Sequence, residues 1–164
     1  MARCQLYPRV ANWWQGRAQR VFQCRLSFWT VAVFIFILDR LTKLLVVNYL
    51  PVGSSINFSF FSITHILNTG TFFGLGKSAG FLLLFFSIVV SFYLIGWHKK
   101  YPVHLQPLLG LVLGGALGNV TDRLIYGAVV DFIDFHFWPV FNVADSAISL
   151  AVVLILLFET RRRK

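Results

Sequence analysis

The sequence predicts an all-α membrane protein with four transmembrane helices and a small extracytoplasmic β-sheet on its outer surface. Hydrophobic residues make up 57% of the 164 positions, and the mean hydropathy of +0.72 is far above the range of soluble globular proteins. Four windows are apolar over roughly the 20 residues that a helix needs to cross a bilayer. A further stretch alternates apolar and polar residues, which is typical of a half-buried strand.

The four apolar windows define the domain organisation. We place the spans near residues 26–47, 78–97, 105–121 and 141–158. Together they form a membrane domain over residues 26–158, with outer loops at 48–77 and 122–140. A basic N-terminal arm, residues 1–25, precedes this domain, and a basic tail, residues 159–164, follows it.

The basic residues give the chain a formal charge of +9, and their placement predicts the topology. Eleven of the fifteen fall in the N-terminal arm, in the Lys99-Lys100 link and in the C-terminal tail. With four spans these segments share one side of the membrane, and the positive-inside rule makes it the cytoplasm. We therefore expect both termini in the cytoplasm. We expect no nucleic-acid partner, because a nucleic-acid site would gather the charge on one folded face.

The N-terminal arm lacks the continuous apolar core and cleavage site of a signal peptide. Its basic and aromatic residues suit either an arm lying on the anionic inner membrane surface or a plain cytoplasmic extension. Cys4 and Cys24 lie on the reducing side without metal-ligand spacing. We expect neither a disulfide nor a metal site from them.

The first span carries charged residues towards its outer end. Asp39 and Lys43 are i,i+4 neighbours on one helical face and can pair. One interpretation is a salt bridge in which Lys43 snorkels to the outer interface. The other is a supporting role at a functional site.

The outer loop at 48–77 contains the strand-like stretch. Residues 56–60 alternate apolar and polar side chains and residues 61–64 repeat the pattern, so we predict a small sheet here. His65 has no companion ligand nearby, and we predict no metal or catalytic role for it. The stretch ends in Asn68-Thr69-Gly70, which reads as a turn.

The third span and the start of the fourth bring together most of the acidic residues. Gly114, Gly115 and Gly118 provide a small-residue face on which another helix can pack closely. Asn119, Asp122 and Arg123 follow on one face at the outer end of the third span. Asp131 and Asp134 lie in the loop after it. Asn142 is a candidate N-cap of the fourth span, with Asp145 in the first turn. Alternating topology gathers seven polar residues at one depth on the outer side: Asp39, Asn119, Asp122, Arg123, Asp131, Asn142 and Asp145.

Several carboxylates at one depth favour acid–base chemistry by an aspartate pair. Two nearby carboxylates share a proton, so one can deprotonate water while the other hydrogen-bonds the attacked carbonyl. The sequence offers no histidine or cysteine metal set and no serine or cysteine beside a base. From spacing alone, Asp131, Asp134 and Asp145 are equal candidates for the pair.

Several motifs, taken in order, match a known family. They are Asp39 with Lys43, Asn68-Thr69-Gly70 with Phe73, Gly114 to Asn119 followed by Asp122-Arg123, Val130-Asp131-Phe132, and Phe141-Asn142-Val143-Ala144-Asp145. From about residue 26 to 158 the chain resembles the lipoprotein signal peptidases, the type II signal peptidases that cleave bacterial prolipoproteins.

The resemblance implies a bacterial inner-membrane aspartic endopeptidase with its site at the outer face and with no metal or other cofactor. It implies that Asp131 and Asp145 are the catalytic pair and that other polar positions line or support the site. Those positions are Asp39, Lys43, Asn68, Gly70, Asn119, Asp122, Arg123, Asn142 and Ala144. The implied partners are membrane lipid and a prolipoprotein whose cysteine carries diacylglycerol, cleaved just before that cysteine. We expect a monomer.

Two features depart from the family pattern. Only thirteen residues separate Asp131 from Asp145, which is short for the family, and the basic arm is long.

Two other functions compete with a peptidase. A small proton-coupled transporter or channel component could use the same carboxylates as a relay. A non-catalytic assembly factor could bind partners through its glycine face.

Overall fold

The computed structural model describes the backbone of residues 7–70 and 77–162, and the side chains of residues 26–70 and 80–161. The predictions for Cys4, Cys24 and the side chains of the basic arm lie outside the described residues. So do Phe73 and the end of the basic tail.

The protein is mostly helical. Its four long helices are α1 (Tyr7–Tyr49), α2 (Lys77–Trp97), α3 (Gln106–Tyr126) and α4 (Val143–Arg162). Within the described residues, three stretches are long and apolar enough to cross a membrane: Gly80–Lys100, Val103–Tyr126 and Val143–Arg161. They correspond to the second, third and fourth predicted spans. The C-terminal half of α1 carries Asp39, Arg40 and Lys43, which makes that helix less apolar than the others.

The boundaries of α3 and α4 follow from local sequence. Helix α3 starts beside Pro107 and ends at Gly127, whose φ of 69° is in the left-handed region and whose N–H donates to the Arg123 carbonyl. It therefore continues past Thr121, where the sequence placed the end of the third span. Asn142 caps α4 by accepting the N–H of Asp145 at 2.9 Å, as predicted.

Helix α3 is the centre of the molecule, because it packs against each of the other three helices. The close approach to α1 depends on glycine: a Cβ atom at Gly110 would lie 2.5 Å from the Phe28 carbonyl oxygen, and Gly114 faces the backbone of Ala32 in the same way. Leu109 and Leu113 complete the core around Phe28. The outward faces of α2 and α4 are apolar and exposed, which suits contact with lipid.

A three-stranded antiparallel sheet contains β1 (Ser55–Asn57), β2 (Ser62–Asn68) and β3 (Val129–Asp134), in the order β1-β2-β3. The sheet predicted within residues 48–77 is present, but residues 58–61 form a turn in which the Phe58 N–H donates to the Phe61 carbonyl at 2.9 Å. The third strand lies within residues 122–140, where we predicted none. It places Asn68 opposite Val129 and Ile66 opposite Asp131.

Candidate active site

Asp131 lies on β3 and is only 2% exposed. Both of its carboxylate oxygens accept hydrogen bonds from side-chain amides. Asn68 on β2 donates to Oδ2 at 2.8 Å, and Asn142 at the start of α4 donates to Oδ1 at 2.7 Å. The sheet and the last helix thus hold this carboxylate from two sides.

Asp145 lies in the first turn of α4 and is partly buried. Asn119 on α3 donates to its Oδ1 at 2.8 Å. Asn142 contacts both aspartates, since its Nδ2 donates to Asp131 while its Oδ1 accepts the Asp145 N–H. The structure therefore places Asp131 and Asp145 in one hydrogen-bonded site.

The three asparagines are oriented so that their NH2 groups point at the aspartates. Asn68 Oδ1 accepts the Gly70 N–H at 2.9 Å. Asn119 Oδ1 accepts from the Lys43 ammonium at 2.9 Å, and Asn142 Oδ1 accepts from a backbone N–H. Since each oxygen is already occupied by a donor, rotating an amide by 180° would lose a hydrogen bond on both sides. The site therefore presents fixed donors to two carboxylates.

Burial raises the pKa of Asp131 to about 6, because desolvation disfavours the charged carboxylate. The hydrogen bonds from Asn68 and Asn142 and the charge of Lys43 act in the opposite direction, while the negative charge of Asp145 raises the pKa further. Asp131 can therefore exchange a proton near neutral pH, which is the property that acid–base catalysis needs.

A buried cluster of four charges lies beside the aspartates. The Lys43 ammonium contacts Asp39 at 2.9 Å and Asp122 at 2.7 Å, and Arg40 bridges the same two carboxylates. The predicted pairing of Asp39 with Lys43 is confirmed. The interpretation that Lys43 snorkels to the interface is wrong, because its side chain is 2% exposed and already has three partners.

The two cluster carboxylates also hold the backbone beside each candidate catalytic residue. Asp39 accepts the Ala144 N–H at 3.0 Å, one residue before Asp145. Asp122 accepts the Val130 N–H at 3.1 Å, one residue before Asp131. Lys43 links these two contacts and so couples α1 and α3 to the position of both aspartates.

Glycines make room for this arrangement. A Cβ atom at Gly118 would lie 3.0 Å from the Asp39 Cγ and closer still to a carboxylate oxygen. A Cβ atom at Gly115 would lie 2.6 Å from the Ala144 carbonyl oxygen at the start of α4. The glycines of α3 thus admit the charged cluster as well as the neighbouring helices.

Arg123 is near the aspartates but makes weaker contacts. Its guanidinium is 3.5 Å from the Asn119 carbonyl oxygen, at the limit of a hydrogen bond. It lines a cavity of about 260 Å³ together with Thr69, Gly80, Phe81, Leu84 and Gly127.

The structure brings together the two candidate catalytic aspartates and the supporting residues that the sequence named. The hydrogen bonds of Asp134, the third candidate for the pair, and of His65, for which no role was predicted, go to other residues. Asp134 is the last residue of β3, and its carboxylate accepts the His136 N–H. His65 is buried, and its Nδ1 is 2.7 Å from the Leu50 carbonyl oxygen at the end of α1. In the described part of the chain no group of three or more His, Cys, Asp or Glu side chains could hold a metal ion.

Arg40 is the member of the charged cluster that the sequence reasoning missed. The sequence analysis assigned no role to Arg40, although a cation one residue from Asp39 in an apolar helix requires a partner. The long-range partner, Asp122, is 82 positions away. Only the packing of α1 against α3 reveals this pairing.

Comparison with known proteins identifies the family. The family described as Signal peptidase (SPase) II matches residues 31–161. A lipoprotein signal peptidase of Halothermothrix orenii is 38% identical over 138 residues, covering 82% of this chain and 95% of the relative. One of Thermodesulfovibrio yellowstonii is 40% identical over 133 residues, covering 76% of this chain and 89% of the relative.

Solved structures agree with the sequence relatives. A bacterial membrane enzyme structure superposes with a TM-score of 0.72 at 32% identity, covering 78% of this chain and 88% of that one. A second bacterial membrane enzyme structure has the same TM-score at 33% identity, covering 82% of this chain and 90% of that one. The chain belongs to the signal peptidase II family, the lipoprotein signal peptidases.

Proposed function

We propose that the protein is a membrane aspartic endopeptidase in which Asp131 and Asp145 activate water between them. As a member of the signal peptidase II family it is a peptidase that removes signal peptides from prolipoproteins. The observation that supports the catalytic pair is the set of three asparagines whose NH2 groups all face one of these two carboxylates.

In the proposed mechanism the pair holds one proton. The ionised aspartate takes a proton from water as the water oxygen bonds to the scissile carbonyl carbon, and the protonated aspartate hydrogen-bonds the carbonyl oxygen. The tetrahedral intermediate then breaks its C–N bond as a carboxyl proton passes to the departing amine. The pair returns to its singly protonated state, and no covalent enzyme intermediate forms.

Proton sharing suits the environment of Asp131. Burial and the nearby Asp145 raise its pKa to about 6, so the neutral carboxyl is accessible at physiological pH. The donors on Asn68 and Asn142 stabilise the ionised form, so neither protonation state is strongly excluded. A carboxyl that can hold either state serves both halves of the reaction.

The proposed substrate is a prolipoprotein whose cysteine carries diacylglycerol, cleaved immediately before that cysteine. We place four transmembrane helices in the membrane, both termini in the cytoplasm and the sheet on the outer surface. The exposed apolar faces of the helices and the site at one end of α1, α3 and α4 support this placement. A site at the outer interface would let the lipid remain in the membrane during cleavage.

A cleavage assay tests this function. The purified protein in lipid nanodiscs is given a synthetic peptide with a diacylglyceryl-cysteine, and the same peptide with an unmodified cysteine serves as control. Mass spectrometry should find one cut, just before the lipidated cysteine, and little cleavage of the control. Cleavage elsewhere, or equal cleavage of both peptides, would contradict the proposed specificity. Proton flux into liposomes without cleavage would instead favour a proton relay.

A further inference from the structure

Strand β2 is interrupted by a β-bulge in its middle. Ile63 lies opposite Ile133 and, after a shift in register, Ile66 lies opposite Asp131. The two residues between Ile63 and Ile66 therefore face one residue of β3, which is the arrangement of a β-bulge. These two residues are Thr64 and His65, and both are buried.

The bulge decides which side chain of β2 reaches Asp131. Residues that lie opposite each other in an antiparallel pair project to the same face of the sheet, and the faces alternate along a strand. Asn68 lies opposite Val129 and so shares the face of Asp131, where its amide donates to the carboxylate at 2.8 Å. If the register of Ile63 continued without the bulge, Leu67 would lie opposite Val129 and Asn68 would project to the other face. The contact between Asn68 and Asp131 therefore depends on the bulge.

Hydrogen bonds of His65 join the bulge to the segment that precedes the sheet. The backbone N–H of His65 donates to the Ser54 carbonyl at 3.0 Å, and the His65 carbonyl accepts the Gly53 N–H at 2.8 Å. The side chain, which is 3% exposed, adds a third contact, because Nδ1 is 2.7 Å from the Leu50 carbonyl oxygen. Three hydrogen bonds at one residue thus hold the bulge in place.

The proton on Nδ1 of His65 follows from its partner. A carbonyl oxygen only accepts, so Nδ1 carries a hydrogen and donates it to Leu50. Nε2 has no hydrogen-bond partner among the described residues. The contact is available to the neutral and to the cationic ring, so it does not depend on titration of His65.

The Leu50 carbonyl needs a donor from outside the helix. Helix α1 ends just before Leu50, and the last carbonyls of a helix have no partner within it. The Ser54 N–H, four residues further on, donates to the Pro51 carbonyl at 3.1 Å instead. His65 supplies the missing donor and so joins β2 to the helix that carries Asp39.

We propose that His65 is a positioning residue whose donation to Leu50 holds the bulge in the register that places the Asn68 amide on Asp131. The inference rests on the proposed function, in which Asp131 activates water. The ring of His65 hydrogen-bonds the end of α1 and not an aspartate, so His65 acts on the reaction through Asn68.

Hydrogen exchange of the intact protein in nanodiscs tests the hold on the bulge without reference to cleavage. His65→Leu removes the donor, and we expect the protection factor of a peptide covering residues 52–68 to fall roughly two- to ten-fold, the range that one hydrogen bond supports. His65→Asn should restore most of this protection, because the asparagine NH2 group is bonded to Cγ, as the histidine Nδ1 is. His65→Gln, with its NH2 group on Cδ, should not. Unchanged protection in His65→Leu, or equal protection in His65→Asn and His65→Gln, would overturn the inference.

The pH dependence of kcat/KM tests the consequence for Asp131. The hydrogen bond from Asn68 lowers the pKa of this buried carboxyl, so a displaced amide leaves that pKa higher. In His65→Leu the limb that reports Asp131 should move to higher pH by up to about one unit, whereas His65→Asn should keep the wild-type limb. Both variants lack the ring, so a difference between them reports the donor and not the loss of a titratable group. The same limb in both variants would contradict the positioning role.

A matched control separates positioning from a general loss of stability. His98 is also buried, at 1% exposed, and its Nδ1 is 2.9 Å from the Gln106 side-chain oxygen, but it lies in the link between α2 and α3. His98→Leu should leave the limb that reports Asp131 in place even where it lowers the Tm. A limb that moves as far in His98→Leu as in His65→Leu would show that lost stability, and not the bulge, causes the shift.

A double variant tests whether His65 acts through Asn68. In the Asn68→Leu background, His65→Leu should move the limb no further, because the contact that it positions is already absent. A further shift in the double variant would refute this route. The exchange test also distinguishes this inference from the proposed function: Asp131→Asn that cleaves at the wild-type rate would refute the function, while loss of protection in His65→Leu and its recovery in His65→Asn would still show that His65 holds the bulge.

Discussion

At the scale of single residues, the site depends on amide groups whose orientation is fixed before any substrate arrives. Asn68, Asn119 and Asn142 each use their oxygen to accept from a backbone or ammonium donor, which leaves the NH2 group for Asp131 or Asp145. Such fixed donors need no reorganisation as charge shifts between the two aspartates. Asparagine supplies both the acceptor and the donor at each position, whereas aspartate lacks the donor and leucine lacks both groups.

The pKa of Asp131 gives a prediction for Asn68. Because the Asn68 amide lowers that pKa by hydrogen-bonding the carboxylate, Asn68→Leu should raise it by about one to two units, which follows from the strength of a hydrogen bond to a charged group. The limb of the pH profile of kcat/KM that reports Asp131 should move to higher pH by that amount. Asn48→Leu, at an exposed position in α1, should leave the profile in place. A limb that moves to lower pH in Asn68→Leu would refute the assigned contact.

The same pKa predicts how stability varies with pH. In the folded protein the pKa of Asp131 is about 6, above its ordinary value of 3.8, so its contribution to stability is fully present below pH 3.8 and is lost as pH rises through about 6. Asp131→Asn removes this loss, which is at most about 3 kcal/mol. The Tm difference between Asp131→Asn and wild type should therefore be more positive at pH 8 than at pH 4.5. A difference independent of pH would mean that Asp131 is not desolvated.

At the scale of secondary-structure elements, α3 organises the site because every other helix contacts it. Its small residues allow α1 to approach so closely that Arg40 and Lys43 reach Asp122 on α3. The cluster carboxylates then hold Val130 on β3 and Ala144 on α4. A charged cluster in this position costs desolvation energy, and removing one member would leave the others uncompensated.

A substitution at Gly118 tests how much the site depends on the close approach of α1 to α3. Gly118→Ala would place a methyl group against the Asp39 carboxylate, and we expect a loss of about 1–3 kcal/mol of stability from overpacking, together with reduced cleavage. Gly96→Ala is the matched control, because that glycine lies in α2 with nothing within 4 Å of the added methyl group. Its Tm should be unchanged or slightly higher, since alanine favours helix. Equal Tm changes in the two variants would contradict the packing argument.

Three of the helices and one helix cap could be predicted from the sequence. Strand β3 could not, and the reasons are physical. Hydropathy located α2, α3 and α4, and residue preference located the cap at Asn142. The strand β3 was missed because Val129 to Asp134 has no strict alternation and lies in a segment read as a loop. Strand pairing over more than 60 positions, such as Asn68 with Val129, leaves no local signal.

The candidate site was predicted less completely than the helices. Spacing alone left Asp131, Asp134 and Asp145 as equals, and the family resemblance was needed to choose. The structure supplies the physical difference, because Asp131 and Asp145 contact amides of the site while Asp134 faces Thr64 and His136. The burial of Lys43 was also beyond the sequence, since an interfacial lysine and a buried one have the same i,i+4 spacing.

At the scale of the whole molecule, the distribution of charge predicts how the protein lies in the membrane. The basic segments share one side if four spans are present, and the site then lies at the opposite face. Exposed aromatic side chains in the outer loops, among them Phe60, Phe137 and Trp138, suit the interfacial region of a bilayer.

Thiol labelling of intact spheroplasts tests this topology. A membrane-impermeant maleimide should not label Cys4 or Cys24 until the membrane is permeabilised, because both are predicted to be cytoplasmic. In a background with both cysteines changed to serine, Ser59→Cys in the exposed turn between β1 and β2 should be labelled without permeabilisation. Labelling of the native cysteines from outside would reverse the proposed orientation.

The most direct test of the account is the turnover of a diacylglyceryl-cysteine peptide by Asp131→Asn and Asp145→Asn. We predict that each variant folds, with the Tm and hydrogen exchange of an intact protein, and loses roughly 100- to 10,000-fold in kcat, the contribution of a positioned acid–base group. Glu159→Gln, which changes an acidic residue at the other end of the helix that carries Asp145, should cleave at the wild-type rate. Wild-type turnover by either aspartate variant would contradict the central claim that Asp131 and Asp145 together activate the water.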